Sequence, residues 1–394
     1  MSKKTTLGNL AWVLSLLSCG VAAGVDPGIA AAPPANIPTV SMADIARAGV
    51  FYVGGQYVGE PGKEIMEGAM YVEVLVPRKI RHSQPIVMLH GAGQTAVDWL
   101  QTPDGRTGWA YFFLHRGYVV YLTDEPARGR SAYVPDVDGP LTIRTAPQLA
   151  QLWTAVDAAS PWPQCARYSQ WPGTGPGKGR MHDQIFDEFA RTQVQYPANN
   201  LERATVDAYV ALLDRIGTPV VLLTHSIGAA FGWSVADARP RDVAAVIAIE
   251  PAGPPIQAVD TARQVYSGKP NLPWGLTNLP LEYEPAIKDA AELQTAVSGV
   301  ANAPGRVSCY LQTGSPRRLK NLVGIPVLLI SGEASYHAIF DACTAQWLNQ
   351  AGVHTDYVEL VSVGITGNGH EMMLEKNSDE IAKYLAGWLD RTVH

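Results

Sequence analysis

Short, uninterrupted apolar runs recur along the chain at residues 86–89, 119–122, 220–223, 243–249 and 327–330, with a weaker run at 357–361. A strand with one wet face alternates apolar and polar residues, whereas a run that is apolar at every position is buried on both faces, as in a parallel sheet. Helical stretches at 109–116, 202–216, 228–238, 336–351 and 378–389 separate these runs. The alternation predicts an α/β fold with a mostly parallel sheet and helices on both faces. Two β-rich runs at 52–58 and 70–77, split by a Gly/Pro turn, predict an opening hairpin.

Residues 135–200 and 254–322 break the alternation and are too long for ordinary connections. They read as lid-like insertions over the carboxyl edge of the sheet, with Trp153, Trp162, Trp171 and Trp274 as material to pack. Composition agrees with a large buried core: 47% of the 394 residues are apolar and 17% charged. The net charge of -6, without a dense basic run, leaves no electrostatic footprint for nucleic acid.

The N-terminus reads as a secretory signal peptide over residues 1–23: Lys3 and Lys4, the apolar stretch from Leu10 to Leu17, then Val21 and Ala23 at the cleavage positions. That predicts a secreted or periplasmic protein, with a linker at 24–50 and one domain over 51–394. Lipidation at Cys19 is the lesser reading. No later apolar stretch has transmembrane length, so no stable membrane span is expected. Beyond Cys19, three cysteines remain, Cys165, Cys309 and Cys343. They allow one disulfide in an oxidising compartment, and sequence does not choose the pair. Cys165 and Cys309 fall in the two irregular segments and are placed to pin them together, while Cys343 reads as a small apolar residue of a helix.

The run at 220–223 continues into Thr224-His225-Ser226-Ile227-Gly228 and then a helix. A sharp strand-to-helix turn lifts a serine hydroxyl above the sheet, which makes Ser226 the candidate nucleophile, although Thr replaces the usual first glycine of G-x-S-x-G. Upstream, His90-Gly91-Ala92-Gly93-Gln94 ends another buried run. This loop supplies a candidate oxyanion donor, the N–H of Ala92, to act with the N–H of Ile227. His90 itself reads as a loop-orienting residue. Of the nine histidines, His370 in the Gly367-Asn368-Gly369-His370 loop is best placed as general base. His337 and His354 read as structural groups. No cofactor or metal is implied, for want of a phosphate loop, H-E-x-x-H or clustered ligands.

These stretches, with Phe51-Tyr52-Val53-Gly54-Gly55, the loop from Thr102 to Trp109, Gly129-Arg130-Ser131 and Asn368-Gly369-His370-Glu371-Met372-Met373, make the chain resemble the α/β-hydrolase superfamily. Within it, the chain is similar to a small branch of secreted bacterial esterases. The resemblance implies a homodimer without a metal, and a triad acid on a glutamate that ends the strand after the nucleophile helix, here Glu250. The chain departs from that branch at the oxyanion loop, with Ala92 and Gly93 in place of a cysteine pair, and in the 135–200 insertion.

From the residues, two acids compete. Glu333 follows the run at 327–330, where the commoner superfamily layout puts the acid, and Glu250 ends the run at 243–249. Glu250 is favoured because a carboxylate ending so apolar a strand is costly to desolvate unless it has a partner such as an imidazolium. The predicted activity is hydrolysis of a small-molecule carboxylic ester through an acyl-enzyme. A lactone or amide hydrolase, or a non-catalytic binding protein of the same fold, is the alternative; a dehalogenase is disfavoured because position 226 is not a carboxylate.

Overall fold

The computed structural model describes residues 37–298 and 303–393. The leader read at residues 1–23, and Cys19 with it, lie outside the described residues. Within the unit Val40–His394 the sheet has eight strands: β1 (Ile45–Val58), β2 (Ile65–Pro77), β3 (Ile86–Leu89), β4 (Val120–Asp124), β5 (Val220–His225), β6 (Val243–Ile249), β7 (Val327–Ser331) and β8 (Thr355–Glu359). Their order is β1-β2-β4-β3-β5-β6-β7-β8. Only β2 runs against its neighbours; from β4 to β8 every pairing is parallel.

The continuous apolar runs are explained by two cores, one on each face. Val221, Leu223, Ala245, Ile247, Leu328 and Ile330 point into the first, which α1 (Trp109–His115) and α5 (Ser378–Thr392) cover with Trp109, Phe113, Ile381, Leu385 and Leu389. Val220, Leu222, Val246, Ala248, Val327 and Leu329 point the other way, against α2 (Glu202–Ile216), α3 (Ile227–Ala238) and α4 (Asp341–Gln350), which contribute Tyr209, Leu212, Phe231, Trp233 and Trp347. Side chains alternate faces along a strand, so a strand between two apolar layers has no position left for a polar residue.

The first strand begins at Ile45, inside the stretch read as a linker. It is an edge strand paired only with β2, from Ile45↔Pro77 to Val58↔Ile65, and only Ile45 and Val53 are buried. An edge so little buried carries no apolar alternation, and its start is invisible to pattern reading.

The insertions are packed structures. Trp153, Trp162 and Trp171 of the first join the core under α1 and α5, and Trp274, Leu276 and Tyr283 of the second join the opposite core. The disulfide joins Cys309 to Cys343, and Cys165 is a buried free thiol. The expectation that Cys165 pins the two insertions together is therefore corrected. The bridge instead ties the second insertion to α4, closing a loop with a sequence separation of 34; a loop of that size contributes about 3–4 kcal/mol by constraining the unfolded chain. No helix of the described residues is long and apolar enough to cross a membrane.

The Thr102–Trp109 loop has a positional task. Arg106 donates to the Glu375 carbonyl (3.0 Å) and Ser378 Oγ (3.0 Å), and Trp109 Nε1 donates to the Ser378 carbonyl (3.0 Å). These bonds fix the start of α5, and with it the end of the segment that carries His370.

Candidate active site

Ser226 stands between β5 and α3 with φ 53° and ψ −123°, a conformation that costs a non-glycine residue strain and persists only where its surroundings enforce it. The enforcing bonds are Ser226 N to the Ile249 carbonyl (3.1 Å) and Ala252 N to the Ser226 carbonyl (2.9 Å), which stitch the turn to the end of β6. Gly228 is required by close approach: a Cβ there would lie 2.6 Å from the His90 carbonyl oxygen. The Thr at position 224 is accommodated from the helix side. Its Cγ2 lies 2.9 Å from where Gly232 would carry a Cβ, so a glycine in α3 makes the room that the usual motif makes in the strand.

Ala92, Ser226 and Ile227 share the wall of a cavity of about 520 Å³. The loop that carries Ala92 is set by its neighbours. His90 Nε2 accepts from Glu125 N (3.1 Å) and Nδ1 meets the Gly91 carbonyl (2.9 Å), in keeping with a loop-orienting role. Gln94 Oε1 accepts from Gly91 N (3.2 Å), and its Nε2 donates to Glu371 Oε2 (2.7 Å).

His370 is 2% exposed. Its Nδ1 lies 2.6 Å from Glu250 Oε2, and the Tyr336 hydroxyl, on the wall of the Ser226 cavity, approaches its Nε2 at 3.4 Å. His225, next to Ser226, donates from Nε2 to the His370 carbonyl (3.1 Å), with ring centroids 4.5 Å apart. The loop holding His370 is tied down by hydrogen bonds: Glu375 accepts from Gly369 N (2.8 Å) and Asn368 Nδ2 (2.6 Å), and the Asn368 carbonyl accepts from Ala334 N (3.0 Å).

Glu250, fully buried, also sits at positive φ, 43°. It accepts from Gly332 N (2.8 Å) on Oε1 and from Ser335 Oγ (2.6 Å) on Oε2. Burial, with the nearby Asp341 charge, pushes this carboxyl well above the usual carboxylate range. Against that, Gly332 N can only donate to Oε1, and with Glu250 ionised His370 Nδ1 is the donor to Oε2. A carboxylate on Nδ1 holds the imidazole proton there and leaves the Nε2 lone pair available. Burial, followed by the neighbouring His225 and His337, pushes His370 well below its ordinary range. Glu333 goes elsewhere, accepting from Gly367 N (2.7 Å) at the entrance of the His370 loop.

Several site residues carry no signal in the sequence. His337 reads there as a structural group. In the fold it lines the Ser226 cavity, bonds Asp341 through Nδ1 (2.8 Å) and stacks on His370 at 4.7 Å. Glu250, His337 and His370 form one cluster with donor atoms within 4.8 Å, and His225, His370 and Glu371 form another. Such clusters are metal-ligand sets by residue type; in this fold several of their atoms are engaged in the Glu250–His370, His337–Asp341 and Gln94–Glu371 bonds. Trp153 stacks on His370 at 6.1 Å. Glu371 has the one positional signal among them, since it follows His370 directly.

Residues 86–384 match the family model described as the alpha/beta hydrolase family. The chain belongs to the α/β hydrolase family. Among relatives, it is 42% identical over 344 residues to a probable secreted lipase, phiG, of a fungal species (strain ATCC 74256), covering 86% of this chain and 89% of that one. Among solved structures, a bacterial esterase aligns with a TM-score of 0.59 at 21% identity, covering 91% of this chain and 99% of the other. As an α/β hydrolase, the chain places Ser226 at the turn after β5 and Glu250 at the end of β6.

Proposed function

We propose that this α/β hydrolase is a secreted serine hydrolase of carboxylic esters, with Ser226 as nucleophile, His370 as general base and Glu250 as the acid that orients it. The observation that carries the reading is the 2.6 Å Glu250–His370 pair, its imidazole 4.5 Å from the ring of His225, the residue before a serine held at φ 53°. His370 Nε2 takes the proton of the Ser226 hydroxyl as Oγ attacks the ester carbonyl, and the N–H groups of Ala92 and Ile227 receive the oxyanion. The imidazolium, paired with Glu250, returns the proton to the departing alkoxide. Water, activated by the same histidine, then cleaves the acyl-enzyme to the carboxylic acid and free Ser226. The name of the 42%-identical relative supports both the ester class and secretion, and residues 1–23 supply a leader pattern.

The test is covalent. A fluorophosphonate abolishes hydrolysis of p-nitrophenyl butyrate and, with loss of fluoride, adds its phosphonyl group to the peptide holding Ser226; label on another residue, or turnover that survives labelling, overturns the reading.

The pH dependence follows from burial. Protonated His370 is the inactive form, and its pKa is lowered by burial and by the like charges of His225 and His337. Protonation is therefore reached only at more acid pH than for a free imidazole, whose pKa is roughly 6.5. The acid limb of kcat/KM is expected with its half-point below that value. A half-point at or above it would contradict the assignment of the base.

A further inference from the structure

The cavity that holds Ser226 has one charged side chain outside the Ser226–His370–Glu250 set. Arg144, from the first insertion, stands on its wall with Tyr336 and His337, and no Asp or Glu among the described residues does. The remaining polar groups there, including Thr142, Asn200 and Asn271, are uncharged.

A guanidinium withdrawn from water must replace the hydration of its five N–H donors, and protein interiors do so with carboxylates or carbonyls. The other buried or half-buried arginines comply. Arg106 holds Asp104 at 2.8 Å, Arg128 holds Glu125 at 2.9 Å, Arg239 holds Asp214 at 2.7 Å and Arg306 holds Glu359. Arg317 donates to the Pro285 carbonyl at 2.8 Å. Of the buried and half-buried arginines, Arg144, which is half-buried, alone forms neither an ion pair nor a hydrogen bond among the described residues, and its Nε, like that of Arg128, is buried without a hydrogen bond. The neighbour of Arg144 is an aromatic face: Cζ lies over the Trp153 ring, 5.1 Å from its centroid, the same ring that stacks on His370. A guanidinium held over an aromatic face by cation–π attraction spends none of its N–H donors on that contact, which leaves them free for a planar anion.

We infer that Arg144 is the anion-recognition residue of this cavity, and that the substrate is an ester bearing a carboxylate close to its scissile bond rather than a neutral aliphatic ester. The inference rests on the proposed ester hydrolysis and names its substrate class. An anionic substrate also suits the chemistry. The Arg144 charge works against protonation of His370, and a carboxylate paired with it removes that opposition when the imidazolium forms.

The experiment compares two matched pairs of esters. In p-nitrophenyl hydrogen glutarate against p-nitrophenyl valerate, a carboxylate replaces a methyl on the acyl side; in m-carboxyphenyl butyrate against phenyl butyrate, the charge is on the alcohol side. The expected result is a higher kcat/KM for the anionic member of one pair, which also locates the charge. In that pair Arg144→Gln lowers the anionic-to-neutral ratio by about tenfold or more, the range of a charge-assisted bidentate contact, and Arg144→Lys retains part of it. A turnover-free readout accompanies this: calorimetry detects glutarate binding to the parent and not to an Arg144→Gln protein of unchanged melting temperature. Equal ratios in the parent and Arg144→Gln, or glutarate binding that survives the substitution, overturn the inference. Failure of the underlying reading looks different: turnover of the neutral esters would be absent or would survive Ser226→Ala, and glutarate binding would still report on Arg144.

Discussion

Replacing Ser226 by Ala is expected to slow hydrolysis of p-nitrophenyl butyrate by about 10⁴- to 10⁶-fold, the loss seen when the nucleophile of a triad is removed and only binding and the oxyanion site remain. Substitution removes one hydroxyl and no packing, since the position is only half-buried. The turn itself is held by backbone bonds from Ser226 N to Ile249 and from Ala252 N to Ser226, so the thermal unfolding midpoint should be close to that of the parent. Both readings are needed. A folded Ser226→Ala protein with turnover within about tenfold of the parent would remove Ser226 from the mechanism, because no loss of ground-state contact could stand in for a missing nucleophile.

The second large effect separates the two acids. Glu250→Gln is expected to lower kcat by about 10³- to 10⁴-fold, as a carboxylate-to-amide change beside a catalytic histidine does, whereas Glu333→Gln costs less than about tenfold. The number of donors each carboxylate receives sets the difference. Glu250 receives Gly332 N on one oxygen and Ser335 Oγ and His370 Nδ1 on the other. A glutamine has one acceptor oxygen. If that oxygen faces His370, its amide N–H₂ opposes Gly332 N–H. If the amide faces His370 instead, the imidazole must move its proton to Nε2 and can no longer accept one from Ser226. Glu333 meets a single donor, Gly367 N, which an amide oxygen serves equally well. Steady-state kinetics of the two variants, with circular dichroism to verify folding, decide the matter; a larger loss for Glu333→Gln would move the acid to the end of β7.

What could be read from the amino acids is what local physics controls. An apolar run with no polar position declares a strand buried on both faces, and the five such runs all lie in the sheet. The turn at Ser226 shows because a strand, a small residue and a helix are contiguous. Glu250 shows because a carboxylate at the end of a buried strand needs a partner, and the backbone order alone says that it ends on the same edge as the loop of His370. The strand edge at Ile45 and the partner of Cys343 do not show, since neither leaves a periodic trace.

The tertiary structure decided everything that depends on residues far apart in the chain being near in space. Gln94 and Glu371 are 277 positions apart and 2.7 Å apart. The choice of Glu250 over Glu333 as the neighbour of His370 turned on which of two adjacent strand ends the imidazole faces, a matter of ångströms that residue order does not encode. Arg144 and Trp153 sit in an insertion without periodicity, and their meeting with His370 comes from how that insertion packs on the core. The sequence by itself determined the sheet, the turn that carries Ser226 and the edge on which the candidate residues gather, because periodicity and turn geometry are local. Which charged groups face that edge, and which cation is left there without a counter-ion, was decided only by the packing of segments that no local rule connects.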